Sequence, residues 1–223
     1  MIALDTKPVA ETLDRLFLAA ERNDPPIMER LQADAAKRGG ALDDNLAAEH
    51  LGEAYLAIDR HTGRFLYTLA LAHGSRTVVE FGTSFGISTI HFAAAVRDQG
   101  GGRVITAEQV AGKVRQARAN LAQAGLEDLV DFREGDALQT LADIDRPIDF
   151  VFLDGWKGLY LPVLKLLEAK LRPGAVIVAD DLDIFPEVMR PYLEYVRHPD
   201  HGYASVEVPI GDRLELSVRA ANV

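Results

Sequence analysis

The sequence predicts an α/β fold: a doubly wound, mostly parallel seven-stranded sheet with an antiparallel C-terminal hairpin, preceded by N-terminal helices. Three observations predict it. From residue 77 onward, short apolar runs rich in Val, Ile and Phe alternate with segments of helical period, the pattern of strands buried on both faces. The last two β-like runs, 203–208 and 214–218, are joined only by Pro209, Ile210, Gly211, Asp212 and Arg213. So short a link holds no crossover helix, which makes these strands antiparallel neighbours. The first third lacks such runs and reads as helix.

Residues 8–22 place Val9, Leu13, Leu16, Phe17 and Ala20 at three- and four-residue spacings, one apolar helical face. Asp24 before Pro25 reads as an N-cap with proline in the first helical position, opening a second helix that runs to about Arg38 and is stopped by Gly39-Gly40. An irregular acidic stretch through Asp43-Asp44 follows. A third helix, 62–73, carries Phe65, Leu66, Leu69 and Ala72 on one face. Strands are expected at 77–81, 103–108, 129–133, 148–154 and 175–180, and helices between them at 87–97, 110–124, 137–142 and 159–171, the last closed by Pro173-Gly174. The segment near Phe185 carries no readable motif. A chain of 223 residues is near the upper size for one hydrophobic core, so a single domain is expected, with a helical cap over 1–75 and an α/β core over 76–223.

Hydrophobic residues make up 48% and charged residues 26%, the balance of a globular protein with a real core. Lys and Arg number 24 against 34 Asp and Glu, a formal charge of -10 that is the wrong sign for a phosphate backbone, so no nucleic-acid partner is expected. The absence of cysteine removes disulfides, thiolate-ligated metals and cysteine nucleophiles. The first 18 residues show neither a basic leader nor an apolar run of signal-peptide length, and no stretch approaches the roughly 20 apolar residues of a membrane span. The expectation is a cytoplasmic protein without a membrane partner.

In an open α/β sheet the ligand lies beyond the carboxyl ends of the strands, so the residues that follow each strand carry the chemistry. The first strand runs into Glu80-Phe-Gly82-Thr-Ser-Phe-Gly86, where glycines permit a tight turn and close approach of a ligand at a helix start. Its spacing is neither Gly-x-Gly-x-x-Gly nor a P-loop. The second strand ends in Glu108, either a carboxylate placed where nucleotide-binding sheets accept two ribose hydroxyls or a solvated acid at a strand end, the glycine loop beside it favouring the first. After the third, Gly135-Asp136-Ala137 offers either a carboxylate and an amide to an adenine edge or an N-cap to the next helix; both readings stand. The fourth ends in Asp154-Gly-Trp156-Lys157 and the fifth in Asp180-Asp181. As sheet neighbours these two strands would bring three carboxylates to one rim, and two unit charges about 4 Å apart repel by about 4 kcal/mol at an effective dielectric near 20. Protonation of one acid or a bound hard cation offsets this, and all-oxygen donors suit Mg²⁺ or Ca²⁺; three acids pointing apart into water is the bland alternative. His198 and His201 read as a solvated turn, and His91 as a core or surface histidine.

The order of these motifs resembles the class I S-adenosylmethionine-dependent O-methyltransferases of the cation-dependent catechol and caffeoyl-CoA type, whose sheet is Rossmann-like. The likeness runs from about Tyr55 to Arg219, through Val79-Glu80-Phe81-Gly82 and Ile105-Thr106-Ala107-Glu108. It is most specific in Phe150-Val-Phe-Leu-Asp154-Gly-Trp156-Lys157-Gly-Leu-Tyr160-Leu-Pro162, and Ile210-Gly-Asp-Arg-Leu214 resembles the family's last hairpin. The resemblance implies that Glu80, Gly82, Thr83, Ser84 and Gly86 hold the methionine part of the cofactor, with help from Ser88. It assigns Glu108, with Gln109 beside it, to the ribose, and Asp136, Ala137 and Trp156 to the adenine. Asp154, Asp180 and Asp181 would bind Mg²⁺ or another divalent cation such as Ca²⁺ or Mn²⁺, Asp154 also bordering the cofactor and the reacting centre. Lys157 would be the general base, the acceptor a small hydroxylated aromatic, and the assembly a homodimer. Two departures stand out: Asp181 occupies a position where family members usually carry asparagine, and Ser84 one where many methyltransferases carry a middle glycine.

The chemistry is consistent with such a set. A sulfonium already carries an activated methyl, so aligning the acceptor oxygen behind it is most of the task. A phenol of pKa about 10 is scarcely ionised at neutral pH, and a cation together with a lysine base remedies that. Three readings compete with this one: a metal-independent methyltransferase, a nicotinamide-dependent oxidoreductase, against which the loop spacing argues, and a noncatalytic nucleoside-binding module whose acidic rim is only a solvated surface.

Overall fold

The computed structural model describes residues 1–38, 50–183 and 185–221. Strands β1 (Thr77–Phe81), β2 (Arg103–Glu108), β3 (Val130–Glu134), β4 (Ile148–Leu153), β5 (Leu171–Ala179), β6 (Tyr203–Val208) and β7 (Leu214–Arg219) form one sheet in the order β3-β2-β1-β4-β5-β7-β6. The first five are parallel, while β7 runs antiparallel to both β5 and β6.

Successive strand side chains point to opposite faces, so each strand feeds two cores. Val78, Val104, Phe150, Phe152 and Val178 face one way and pack under α1 (Lys7–Lys37), α2 (Arg60–His73), α3 (Ile87–Asp98) and α4 (Ala111–Gln123). Val79, Phe81, Ile105, Val151 and Ile177 face the other way, toward α5 (Ala137–Thr140), α6 (Tyr160–Leu167) and α7 (Pro186–Arg197). The sheet is therefore wound on both sides. The chain reverses its direction of progress across the sheet between β1 and β4, the crevice in which such sheets bind ligands.

The structure corrects three expectations. Asp24-Pro25 opens no helix: α1 passes through Pro25 and Pro26 without a break. The two prolines leave the Glu21 and Arg22 carbonyls without helical donors, but both residues face solvent, and Ile27, Leu31 and Ala35 continue the buried stripe beyond them. The Asp24 carboxylate, freed from capping, accepts from the Tyr55 and Leu56 amides at 2.8 and 2.9 Å. Second, the helix expected over 159–171 ends at Leu167, followed by a 3-10 turn Glu168–Lys170, and Pro173-Gly174 lies within β5. There the pairing with β4 shifts register between Ile148 and Phe150, an irregularity that accommodates proline in a strand. Third, α7 occupies the segment where no motif was legible; Pro186 sits in its first turn, and Met189, Tyr192 and Val196 form its buried face. The Gly39-Gly40 stop and the acidic stretch through Asp43-Asp44 lie outside the described residues. No helix among the described residues is long and apolar enough to cross a membrane.

Candidate active site

The loop after β1 is built by close approach. Gly82 has φ +107°, and a Cβ there would stand 2.4 Å from the Asp154 carbonyl oxygen, so only glycine lets the β1 and β4 ends meet. Gly86, also left-handed at φ 87°, opens α3. Glu80 is wholly buried behind the loop and accepts from the Thr89 and Thr106 hydroxyls at 2.5 and 2.6 Å. Burial pushes its carboxyl up, against the hydroxyls of Ser88, Thr106 and Thr89. The Thr83 hydroxyl joins the same network through Thr106, at 2.5 Å.

Residues 55–58 cover this loop. The Tyr55 ring stacks on Phe85 with centroids 4.0 Å apart, and the Ser84 hydroxyl donates to the Tyr55 carbonyl at 2.7 Å. Tyr55, Leu56, Thr83, Ser84, Ser88 and Asp154 line the resulting narrow cleft. Leu56, Ser84 and Asp181 all have positive φ, 47°, 45° and 62°, so non-glycine residues in a costly conformation surround the site.

Glu108 ends β2 with both oxygens on backbone amides: Oε2 accepts from Ser84 and Oε1 from Val110, each at 2.9 Å. Its carboxylate thus ties the backbone of the loop after β1 to the second βα turn. Gln109 is exposed beside it. Asp136 caps α5, accepting from the Leu138 amide at 2.9 Å, and Ala137 is buried below it. Trp156 is half-buried against the α6 and α7 side of the sheet.

The ends of β4 and β5 do converge. Lys157 Nζ stands 2.6 Å from Asp181 Oδ2 and 3.8 Å from Asp154 Oδ1, and donates to the Tyr160 hydroxyl at 2.7 Å. The Asp180 carboxylate accepts from the Asp181 amide at 2.8 Å. The side chains of Asp154 and Asp181 are only 13% and 23% exposed and Asp180 is 4% exposed, which rules out three acids dispersed in water. Burial, followed by the repulsion of Asp180, pushes the Asp154 carboxyl well up; burial and Asp181 push Asp180 up to about 7. Three acids thus share one ammonium, and the excess negative charge is held away from water.

Solved structures share this architecture, and characterised relatives are similar in sequence. A family model described as "Methyltransferase domain" matches residues 79–182, from β1 to just past the paired aspartates. The catechol O-methyltransferase of Mycobacterium tuberculosis is 36% identical over 162 residues, covering 72% of this chain and 73% of its own length. This chain is a class I S-adenosylmethionine-dependent O-methyltransferase of the catechol and caffeoyl-CoA type. Caffeoyl-CoA O-methyltransferase 2 of Zea mays is 27% identical over 180 residues, 70% of this chain and 67% of that one. Among solved structures, the O-methyltransferase TomG of Streptomyces achromogenes, in complex with S-adenosylmethionine, superposes with a TM-score of 0.62 at 25% identity, over 86% of this chain and 98% of its own.

Membership sets aside the nicotinamide-dependent and noncatalytic readings. In the methyltransferase, the structure adds residues that the strand-end reading passed over. Tyr55 and Leu56 belong to a segment without a motif, and their place against the loop depends on Asp24, distant in sequence. Tyr160 sits inside the quoted β4 motif, where its hydroxyl receives Lys157 and donates to the Asp180 carbonyl at 3.3 Å. Asp212, in the last hairpin, adds a further acid, its carboxyl pushed up by partial burial and by Asp181, Asp183 and Asp59.

Proposed function

We propose that the enzyme transfers a methyl group to a hydroxyl of a small catechol-like or phenolic acceptor, assisted by a divalent cation. The observation that carries the reading is Lys157, held within 2.6 Å of Asp181 and 3.8 Å of Asp154 at strand ends that abut the cofactor loop. In this reading Glu80, Gly82, Thr83, Ser84, Gly86 and Ser88 hold the methionine part, Glu108 and Gln109 the ribose, and Asp136, Ala137 and Trp156 the adenine.

The donor set fits a hard cation. Asp154, Asp180 and Asp181 offer only oxygen, and two of them carry raised pKa values that an added positive charge would relieve. Among the described residues no three acidic or imidazole groups are already arranged to hold an ion, so the three aspartates would have to close around a cation as it binds. When bound, such a cation stabilises an ionised acceptor oxygen. The chain's own residues supply the rest. In its neutral amine form Lys157 Nζ takes the acceptor's proton and becomes the ammonium that Asp154 and Asp181 hold, Tyr160 fixes the lysine by its hydroxyl, and the 55–58 segment covers the loop. The N-terminal cap over 1–75 and the core over 76–223 act as one domain, and the protein works as a homodimer, which light scattering tests.

The absence of a preformed ion cage among the described residues favours the alternative, a metal-independent methyltransferase in which Lys157 alone offsets the three aspartates. A screen of catechols and monophenols with labelled S-adenosylmethionine, run with Mg²⁺ and with EDTA, separates them. Catechol turnover that disappears in EDTA and returns with Mg²⁺ supports the proposal. Full turnover in EDTA supports the alternative.

A further inference from the structure

Lys113, in the first turn of α4, is a buried lysine that no step above uses. It is 6% exposed, whereas lysine is almost never so buried unless paired. Its one specific contact among the described residues is the Phe85 ring, whose centroid lies 5.8 Å from Nζ. Glu108, Asp24 and Asp154 surround the amine electrostatically and favour its charged form, against the burial that lowers its pKa.

The nearby carboxylates already accept other donors, though each oxygen keeps a further lone pair. Both oxygens of Glu108 hold the Ser84 and Val110 amides, and both of Asp24 hold the Tyr55 and Leu56 amides. Asp154 reaches instead toward Lys157. The amine therefore has the field of several anions and no hydrogen bond among the described residues, and because it is not one of the wholly buried unpartnered polar atoms its tip stays open to a ligand. Its position is also fixed. Asn120 on the same helix donates to the Phe85 carbonyl at 2.9 Å, and Arg15 of α1 donates to Asn120 at 2.8 Å. A lysine with no hydrogen-bond partner among the described residues is thus held against the loop after β1, five positions after Glu108.

We infer that Lys113 is a cofactor-contacting residue whose ammonium donates to the ribose hydroxyls from which Glu108 accepts. A hydroxyl both donates and accepts, so one ribose oxygen satisfies the carboxylate and the ammonium together. The inference rests on the assignment of Glu108 to the ribose.

Calorimetric titration of the full chain with S-adenosylhomocysteine and with 5′-methylthioadenosine, which lacks the amino-acid part, tests it. Wild type binding neither ligand would remove the cofactor assignment itself, whatever Lys113 does. Given wild-type binding, Lys113→Met should weaken both ligands by about 10- to 100-fold, the worth of a charge-assisted hydrogen bond, and Lys113→Arg should recover most of the loss. A methylthioadenosine analogue without ribose hydroxyls should lose less affinity for Lys113→Met than for wild type, a coupling that a merely structural lysine would not produce. Unchanged affinities in a folded variant would overturn the inference. So would a loss confined to S-adenosylhomocysteine, which would move Lys113 to the cofactor's carboxylate. If Lys113→Met fails to fold, the same coupling is read in Lys113→Gln.

Discussion

Asp180→Asn in the presence of EDTA tests the acidic site by its cost to the fold. Asparagine keeps the oxygen that accepts the Asp181 amide at 2.8 Å and removes only the charge. Asp180 is 4% exposed, and burial with the Asp181 charge holds its carboxyl at about 7 instead of 3.8. Between those values the unfolded chain has released a proton that the folded chain retains, so stability falls as pH rises, and the penalty is complete above pH 7. At about 1.4 kcal/mol per pH unit, the penalty reaches about 4 kcal/mol at pH 8. Urea unfolding followed by circular dichroism should therefore find Asp180→Asn more stable than wild type at pH 8, by about 2–4 kcal/mol, with the difference vanishing near pH 4. Adding Mg²⁺ at pH 8 should stabilise wild type and move the variant much less. A variant less stable than wild type at pH 8 in EDTA, by an amount independent of pH, would refute the claim that these buried acids strain the unliganded fold.

Glu108→Ala should weaken S-adenosylmethionine binding by about 1.5–3 kcal/mol, and a calorimetric dissociation constant equal to wild type would take Glu108 out of the site. Lys157→Ala should lower kcat by about 10²–10⁴, with partial recovery at high pH where the phenol ionises unaided; a pH-rate profile parallel to wild type would deny it the role of base. His91 is 3% exposed, donates from Nδ1 to the Ile87 carbonyl at 2.8 Å and has its pKa driven by burial from 6.5 to about 4. The unfolded chain binds its proton first on acidification, so this contribution is present above pH 6.5 and is lost as pH falls toward 4, by about 3 kcal/mol. Because Asp180 titrates with the opposite sign in that window, the measurement is the difference between wild type and His91→Leu. A difference that does not change with pH would show His91 to be solvated.

The strands were legible because the signal that identifies them is also what stabilises them. Thr77–Phe81 and Arg103–Glu108 are runs with apolar side chains for both cores, and no competing local signal interrupts them. The strand-end acids followed, since a parallel sheet places every such residue on one edge, and β4 pairs with β5 as their buried character requires. Asp24-Pro25 misled because an N-cap is a local bond whose donors were found elsewhere: Tyr55 and Leu56, thirty residues on, outcompete the amides of the next turn. Once that bond forms, the apolar stripe through Ile27 and Leu31 keeps the helix intact despite two missing donors. The same long-range tie draws the 55–58 segment over Ser84 and completes the cleft. Lys113 escaped for a related reason. A lysine among helical residues reads as solvated, and only the packing of α1 and Phe85 around α4 turns it inward. What the sequence pattern conveys is which groups the sheet must carry to its edge; which of them lack a partner there is decided by contacts between segments that no periodicity records.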